Sequence, residues 1–359
     1  MKRTDPPPAA PAPLLPQPVR VLVVLAAAVV VLAGLSFARD VAGPVLLGAA
    51  IAIICHPVRH PLERRGWPSW AATTAVIVVA YAVLAALAAM LFYAGVQFAR
   101  LVVDFRDELQ ASARAAYEWL HAMGLDKQAA DATASVLDPG TIASVAASLG
   151  GTVLSVLTAF FLVLAYVIFM AADGSRYARA EAQFGAGIRP TMGRIREFTR
   201  GVRTYYVVNA TFGAIVAIID GLALWAVGVP APVVWAILAF VTNFIPNIGF
   251  VLGLIPPAVL ALVVGGWPLM LAVIAIYCVV NVVLQVLVQP KFVSDAVNLS
   301  LTLSFLSVVF WTFVIGPLGA ILSIPLTLLV RALVLGDDPG TRWLRWLSGD
   351  AVGPAAAKT

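Results

Sequence analysis

Asp220 is the residue whose type and position most clearly suggest chemistry. It lies in the apolar segment Gly213–Trp225, with no basic residue within a turn or more. An ionised carboxylate at the centre of a membrane-spanning helix costs about 2.5–3.5 kcal/mol on insertion scales, so it should face a hydrated cavity, pair with a cation or carry a proton. Each state suits the coupling of transport to protons or other cations, which makes Asp220 a candidate coupling residue. The alternative is a carboxyl near the outer interface that forms hydrogen bonds between helices.

Amide and hydroxyl side chains in the same half of the chain form a second candidate set. Asn281, Gln285 and Gln289 recur every four residues in a Val- and Leu-rich segment. Such a polar stripe should face a cavity or another polar helix. Hydrogen-bonded packing between helices is the alternative to a hydrated path for a solute or ion. The side chains predicted to line that path are Asn209, Asn243, Asn247, Asn281, Gln285 and Ser304.

Two long apolar stretches, Val233–Val264 and Leu301–Val330, each contain a Pro/Gly motif near the middle. A continuous helix of either length would extend about 45–48 Å, whereas a bilayer core is about 30 Å thick. Proline also removes a backbone donor where a helix would continue. We therefore predict two broken helices, an arrangement that creates substrate sites in transporters. The residues that should hold the breaks open are Pro246, Gly249, Gly316, Pro317 and Gly319.

The two broken segments have two possible topologies. Each could be a re-entrant hairpin that returns to the same side, or each could cross the bilayer once. Their length and the central position of the breaks favour re-entrant hairpins. Both topologies place Arg331 on the cytoplasmic side.

Composition identifies the class of protein. Hydrophobic residues make up 62% of the chain and charged residues 11%, far from the average of soluble domains. With its apolar runs near 20 residues, the chain is predicted to be an all-α, polytopic membrane protein surrounded by lipid. The net charge of +5 arises from short loops between these runs, as the positive-inside rule describes, and does not indicate a nucleic-acid partner. The predicted spans are Val19–Ala38, Val41–Ile54, Trp70–Phe92, Val153–Ala171, Tyr206–Val227 and Pro268–Val288.

The pattern along the chain predicts five regions. A disordered Pro-rich tail is followed by N-terminal transmembrane helices, a helical extracytoplasmic insert, a transport core and a cytoplasmic tail. Within the core, residues 173–205 are predicted to form a basic interfacial helix on the cytoplasmic side, and both termini are predicted to be cytoplasmic. The boundaries are 1–18, 19–93, 94–152, 153–335 and 336–359.

The predicted insert is acidic. Arg100–Asp138 has four basic and seven acidic residues, a net charge of −3, with alanine-rich helical spacing. It could contact another subunit, cap the transport path, or be a linker that folds onto its own membrane domain.

Motifs of soluble enzymes and of ATP-driven transport are not found in the sequence. There is no phosphate-binding loop, no His-Glu-x-x-His and no nucleophile elbow. The three histidines do not cluster with cysteines, and Cys55 and Cys278 are far apart in apolar segments. We therefore expect no enzymatic activity, no cofactor, no metal site and no disulfide.

Two stretches in the C-terminal half resemble motifs of a known family. They are Gly228–Gly249, which ends in Asn-Phe-Ile-Pro-Asn-Ile-Gly, and Gly316–Thr327, which is preceded by Gln289-Pro-Lys-Phe and followed by Arg331. Over about Gly201–Arg331 the chain resembles the autoinducer-2 exporter family. The resemblance implies a multi-pass protein of the bacterial inner membrane that exports a small polar metabolite, with the signalling molecule of quorum sensing, autoinducer-2, as namesake. It also implies a homo-oligomer, with a pentamer among the options.

Some family members are linked to sodium/proton exchange, and this chain departs from the pattern at two places. Many relatives have Leu-His-Pro where this chain has Leu299-Ser-Leu301, and an acidic residue where it has Leu284 and Gln285. Both departures weaken the transfer of a cation-coupling mechanism to this chain. We therefore predict a secondary exporter of a small polar solute, facilitative or proton-linked. The alternatives are a sodium/proton antiporter and a non-transporting oligomeric scaffold that acts through the acidic insert.

Overall fold

The computed structural model describes residues 16–122, 163, 165–169, 183–289 and 299–334, and over these residues every regular element is helical. The all-α prediction is confirmed. Short 3-10 turns cover His56–Val58 and Ala186–Ile188, and a π-helix covers Val282–Val288. The α-helices are α1 (Gln17–Phe37), α2 (Arg39–Cys55), α3 (Arg59–Arg64), α4 (Ser69–Asp104), α5 (Arg106–Ala122), α6 (Arg189–Ala226), α7 (Pro232–Thr242), α8 (Gly249–Asn281), α9 (Leu301–Ile315) and α10 (Pro317–Val334).

Four helical stretches among the described residues are long and apolar enough to cross a membrane. This confirms a polytopic membrane protein. Of the predicted spans, Val153–Ala171 lies outside the described residues except for Val163 and residues 165–169. The four stretches are Arg39–Arg64, Ser69–Asp104, Arg189–Ala226 and Gly249–Val288.

Helix α6 joins two regions that the sequence analysis separated. Residues 189–205 of the predicted interfacial helix and the span that begins at Tyr206 form one helix of 38 residues, about 57 Å long. Residues 173–182 of the predicted helix lie outside the described residues. Pro190 lies in its first turn, where proline is tolerated, and the next proline is Pro230. The helix therefore continues from its basic end into the apolar segment.

Helix α4 likewise passes through the predicted boundary at residues 93 and 94. It has 36 residues and ends at Asp104, and α5 begins after Phe105. Phe98 and Phe105 pack against the core cluster that contains Trp235, and the rings of Phe98 and Trp235 are 6.1 Å apart. The first part of the insert therefore extends α4 and folds onto the membrane domain. Residues 123–152 of the predicted insert lie outside the described residues.

Helix α7 and the first part of α8, residues 249–265, form the first hairpin, which folds back around the break at Pro246. A Cβ on Gly253 would lie 2.9 Å from Oγ1 of Thr242 and 3.6 Å from Cα of Ala239, so the two helices are antiparallel and in close contact. Further along α8, Gly266 has φ 68° and ψ −165°, a conformation essentially restricted to glycine. It divides α8 into residues 249–265 and 267–281.

Helices α9 and α10 form the second hairpin. Gly316 links them with φ 75° and ψ −160°, nearly the same conformation as Gly266. Nε1 of Trp311 donates to Oγ1 of Thr327 at 3.0 Å, and Oγ1 of Thr327 lies 2.8 Å from Oγ of Ser307. These pairs show that the two helices run antiparallel.

Helix α6 packs between the two hairpins. Residues near its middle, Tyr205 and Tyr206, belong to the core cluster shared with α2, α9 and α10, whereas its later residues join the cluster of α7 and α8. The Tyr205 hydroxyl donates to the carbonyl oxygen of Phe244 at 3.3 Å, and that of Tyr206 to the carbonyl oxygen of Ile321 at 3.2 Å. Two consecutive residues of α6 are thus each bonded to a different hairpin.

Candidate functional site

A small polar cavity lies where α6, the first hairpin and residues 267–281 of α8 meet. Its free space is about that of one water molecule. None of the described residues that line it is basic. Apolar walls are formed by Val216, Ala239 and Phe250, with Gly253 at one side. The polar side chains lining it are Asp220, Thr242, Asn243, Tyr277, Asn281 and Gln285.

Asp220 is the charged residue of this cavity. Its side chain is 0% exposed, and neither carboxylate oxygen has a hydrogen-bond partner among the described residues. Buried carboxylates are normally paired or hydrogen-bonded. An orphaned carboxylate facing a cavity is therefore a group with an unused capacity to bind a proton, a cation or a hydrogen-bond donor.

Tyr277 places a second unpaired polar group in the same cavity. It is 1% exposed, and its hydroxyl has no hydrogen-bond partner in the part of the chain that the structure describes. A phenol hydroxyl both donates and accepts, whereas a carboxylate only accepts. Asp220 and Tyr277 are thus complementary groups that face one water-sized space.

Side-chain amides extend from the cavity in a continuous hydrogen-bonded series, which we call the amide ladder. It comprises Asn281, Gln285, Asn243, Asn209 and Gln289. Nε2 of Gln285 lies 2.5 Å from Oδ1 of Asn281 and 2.8 Å from Oδ1 of Asn243. Nδ2 of Asn243 donates to the carbonyl oxygen of Asn209 at 2.8 Å, and Nε2 of Gln289 donates to Oδ1 of Asn209 at 3.3 Å. The ladder therefore links α6, the first break and the helix that follows it.

The π-helix sets the positions of Gln285 and Gln289 around the helix axis. In an α-helix, residues four apart drift around the axis by about 40° per step. A π-helix closes its hydrogen bonds one residue later and so turns less per residue. The backbone N–H of Gln289 accordingly donates to the carbonyl oxygen of Leu284 at 2.7 Å. Residues four apart fall short of a full turn in a π-helix and exceed one in an α-helix, so Gln289 takes a different position around the axis from the one an α-helix would give it.

The backbone fixes which atoms of the asparagines face the ladder and the cavity. Nδ2 of Asn281 donates to the carbonyl oxygen of Tyr277 at 2.7 Å, and Nδ2 of Asn243 to that of Asn209 at 2.8 Å. Since a carbonyl only accepts, each amide nitrogen must face it and each Oδ1 must point the other way. The Thr242 hydroxyl similarly donates to the carbonyl oxygen of Leu238 at 2.8 Å. Together with the Asp220 carboxylate, these oxygens, of which the two Oδ1 atoms also accept from Nε2 of Gln285, make the lining rich in acceptors. Such a lining suits a proton, a small cation or a hydrogen-bond donor and disfavours an anion.

The structure brings Asp220, Asn243, Asn281 and Gln285 together at the cavity and joins Asn209 to them through the ladder. It leaves two predicted path residues outside. Asn247 is exposed and lies within the break, where its backbone has a left-handed conformation with φ 63°. Ser304 lies in the first turn of α9, where its backbone N–H donates to the carbonyl oxygen of Ser300, and it does not line the cavity.

The predicted break residues lie at the two hairpins. A Cβ on Gly249 would overlap the carbonyl oxygen of Thr242, and a Cβ on Gly319 would overlap that of Trp311. These glycines allow the two backbones of each hairpin to approach closely. Pro246 lies within the first break, and Gly316 and Pro317 form the second.

Sequence reasoning did not include Tyr277 and Thr242 in the site. Tyr277 precedes Asn281 by four residues and extends the same stripe, but a tyrosine in an apolar helix also fits ordinary packing. Thr242 adjoins Asn243, and its hydroxyl is also used to satisfy a carbonyl of its own helix. Gln289 belonged to the predicted stripe but was not counted among the path residues.

Comparison with known proteins identifies the family of this chain. The AI-2 transport protein TqsA of Escherichia coli K12 is 28% identical over 312 residues, covering 87% of this chain and 90% of the relative. A putative transport protein of Haemophilus influenzae is 26% identical over 336 residues, covering 92% and 96%. A putative transport protein of Mycobacterium tuberculosis is 29% identical over 336 residues, covering 89% and 90%. Residues 25–335 match the family described as AI-2E family transporter, and the chain therefore belongs to that family.

Proposed function

We propose that the chain is a secondary transporter that exports a small polar solute through a path containing the polar cavity, with Asp220 as its coupling residue. One observation carries the proposal. A fully buried carboxylate with no hydrogen-bond partner among the described residues faces a cavity, where a broken hairpin meets two membrane-spanning helices. Polar residues at broken helices within the membrane mark substrate and ion sites in transporters.

Asp220 supplies the coupling in this proposal. When the carboxylate is ionised, it can bind a cation or a proton within the cavity; once neutralised, it can be buried at a much lower cost. Tyr277 and the amide oxygens of Asn243 and Asn281 surround the bound group. Binding at Asp220 therefore changes the energy of a closed, water-free state, which is how an ion gradient can drive a conformational cycle.

In this proposal both termini are cytoplasmic, and the basic end of α6 sets this orientation. Arg189, Arg194 and Arg203 belong to this end. By the positive-inside rule, it would lie on the cytoplasmic side of a bacterial inner membrane. We also propose that the hairpins are re-entrant, on the length of their helices. Helices α9 and α10 have 15 and 18 residues, about 22 Å and 27 Å, both shorter than a bilayer core of about 30 Å.

The solute is proposed from the chemistry of the site and from the relatives. A site lined by oxygen acceptors suits an uncharged solute with hydroxyl groups or a cation. Because one relative is named an AI-2 transport protein, autoinducer-2 is the first solute to test. We also propose that the chain acts as a homo-oligomer, since α1 and α9 leave many large apolar side chains exposed for lipid or a second copy to cover.

The experiment measures uptake of labelled autoinducer-2 by inverted membrane vesicles, with and without a proton gradient. Wild type, Asp220→Asn and the matched control Asp40→Asn are compared; Asp40 has a side chain that is 96% exposed. Gradient-dependent uptake by wild type and the control, but not by Asp220→Asn, would establish proton-coupled export. Equal uptake by all three would make Asp220 structural and the protein a facilitator. No uptake by any of them would exclude autoinducer-2 as the solute.

Sodium/proton antiport is the second candidate, and the oxygen-lined cavity is the observation that favours it. Carboxylate, hydroxyl and amide oxygens are ligands that hard cations prefer, and a water-sized space suits a dehydrated sodium ion. A pH-sensitive dye inside the same vesicles distinguishes the candidates. Sodium-induced proton movement that is lost in Asp220→Asn would support the antiporter, and no dye response to sodium would exclude it.

A further inference from the structure

The amide ladder continues beyond the cavity toward the basic end of α6. From Asp220 to Asn209 the axis of α6 extends about 16 Å, and Arg203 lies six residues further on. Along the partner helix, Tyr277 faces the cavity and Gln289 reaches Asn209. The two stripes are therefore antiparallel, and their far end lies between the cavity and the basic end of α6.

At the far end of the ladder, side chains from three elements contact one another. Asn209 of α6 and Asn243 of the first break are each 7% exposed. Nδ2 of Asn243 holds the backbone carbonyl of Asn209, and Nε2 of Gln289 holds its side-chain oxygen. These contacts tie α6, the first break and Gln289 together at the far end of the ladder.

We propose that the contact between Asn209 and Gln289, braced by Asn243, is the gate that closes the cavity toward the basic end of α6. This inference rests on the proposed transport function and names the residues that regulate access to its site. Its contacts suit repeated opening. The bond from Gln289 to Asn209 is the longest of the ladder, at 3.3 Å, and joins two neutral amides, which can exchange each other for water or for a polar solute.

The π-helix determines how this gate opens. Gln289 follows the last residue of Val282–Val288 and depends on the reduced turn of that segment to face Asn209. A return of the segment to α-helical geometry would rotate Gln289 away from Asn209, whereas Asn281, before the π-helix, would keep its place at the cavity. Single-turn π segments frequently mark functional sites in helices.

The test measures access to the cavity and needs no transported solute. Both native cysteines are replaced (Cys55→Ala and Cys278→Ala), and Thr242→Cys supplies a reporter thiol at the cavity. A membrane-impermeant methanethiosulfonate with a quaternary ammonium group is applied to vesicles of either orientation. In a separate sample, Gly193→Cys, at an exposed position of α6 with nothing within 4 Å of its Cβ, identifies the orientation that presents the basic end.

In this background, Asn209→Ala and Gln289→Ala are each expected to raise the modification rate of the reporter. The increase should be on the order of fivefold for one lost hydrogen bond, and only from the side of the basic end. Asn209→Ala retains the backbone carbonyl that Asn243 holds, and it removes both the contact with Gln289 and the bond from Nδ2 of Asn209 to the carbonyl oxygen of Tyr205. Gln289→Ala removes the contact with Asn209 and leaves the bond to Tyr205 in place. The matched control is Thr211→Ala on an exposed face of α6, whose hydroxyl donates within its own helix, and it should leave the rate unchanged.

Two results would contradict the proposal of a gate. One is an unchanged rate in both ladder variants; the other is an equal increase from both sides of the membrane, which would make the ladder a packing contact. Gel filtration of each variant confirms that it is folded. Because the assay follows a thiol, a gate can be found even if autoinducer-2 is not transported, and transport can be found without this gate.

Discussion

Nδ2 of Asn243 donates a hydrogen bond to the backbone carbonyl oxygen of Asn209 at 2.8 Å, and this bond joins the break of the first hairpin to α6. Oδ1 of the same asparagine accepts from Gln285. Asn243 is therefore the residue through which three elements meet at the cavity.

Replacement of Asn243 by leucine should abolish transport while the protein remains folded. The leucine removes both ladder contacts and leaves the Gln285 amide with one partner fewer, which we expect to lower the free energy of unfolding by about 1–3 kcal/mol. Uptake into vesicles and thermal unfolding in detergent measure the two effects. Asn247→Gly is the matched control, because Asn247 is exposed and has a left-handed backbone that glycine adopts readily. Normal flux in Asn243→Leu would remove Asn243 from the site.

Asp220→Asn should be at least as stable as wild type. The substitution keeps the size of the side chain and removes a buried charge whose oxygens have no partner in the described part of the chain; a neutral amide is less costly to bury than a carboxylate. We expect an equal or higher melting temperature together with the loss of gradient-driven uptake. Such a pattern is typical of functional sites, which give up stability for activity. A melting temperature several degrees lower would reveal a stabilising partner of the carboxylate and contradict this view of the site.

Tyr277→Phe should lower the transport rate without a loss of stability, whereas Tyr206→Phe should lower the stability of the protein. The Tyr277 hydroxyl has no partner among the described residues, so its removal should leave the free energy of unfolding nearly unchanged and lower the transport rate. The Tyr206 hydroxyl donates to the carbonyl oxygen of Ile321, so its removal should destabilise the protein by about 1 kcal/mol. Chemical unfolding in detergent and vesicle uptake distinguish the two. Equal losses of stability would mean that Tyr277 has a structural hydrogen bond.

Gly249→Ala and Gly319→Ala should each destabilise a hairpin. A methyl group at either position would overlap a backbone carbonyl oxygen of the facing helix, and overpacking of this kind costs about 1–3 kcal/mol. Gly95→Ala is the control, since nothing lies within 4 Å of its Cβ and alanine favours a helix interior by about 0.5–1 kcal/mol. Unfolding in detergent should therefore rank Gly95→Ala above wild type and the other two below it. A neutral result at Gly249 or Gly319 would show that the two backbones can separate there without loss.

The fold could be predicted where the signal was local. Proline fixes its own backbone angle, and glycine permits conformations closed to other residues, so the breaks at Pro246 and Gly316 were readable from the sequence. The end of α4 and the start of α6 were not, because hydropathy records where a helix enters or leaves the lipid and not where it begins or stops. Helix α4 continues to Asp104 and α6 begins at Arg189, since no proline interrupts either polar extension.

The site could be predicted in part for the same reason. Spacing of four residues identified Asn281 and Gln285, and an isolated charge identified Asp220. Spacing could not show that Asn247 faces outward, because its left-handed φ of 63° is set by the path of the chain through the break. Tyr277 was not predicted as a site residue, because most of its side-chain surface is as apolar as that of its neighbours.

The adjacent tyrosines of α6 have a mechanical consequence. Successive residues of a helix point about 100° apart, so the hydroxyls of Tyr205 and Tyr206 bind the first and second hairpins from two neighbouring faces of α6. A rotation of α6 about its own axis would strain both hydrogen bonds at the same time. Helix α6 therefore couples the positions of the two hairpins to each other.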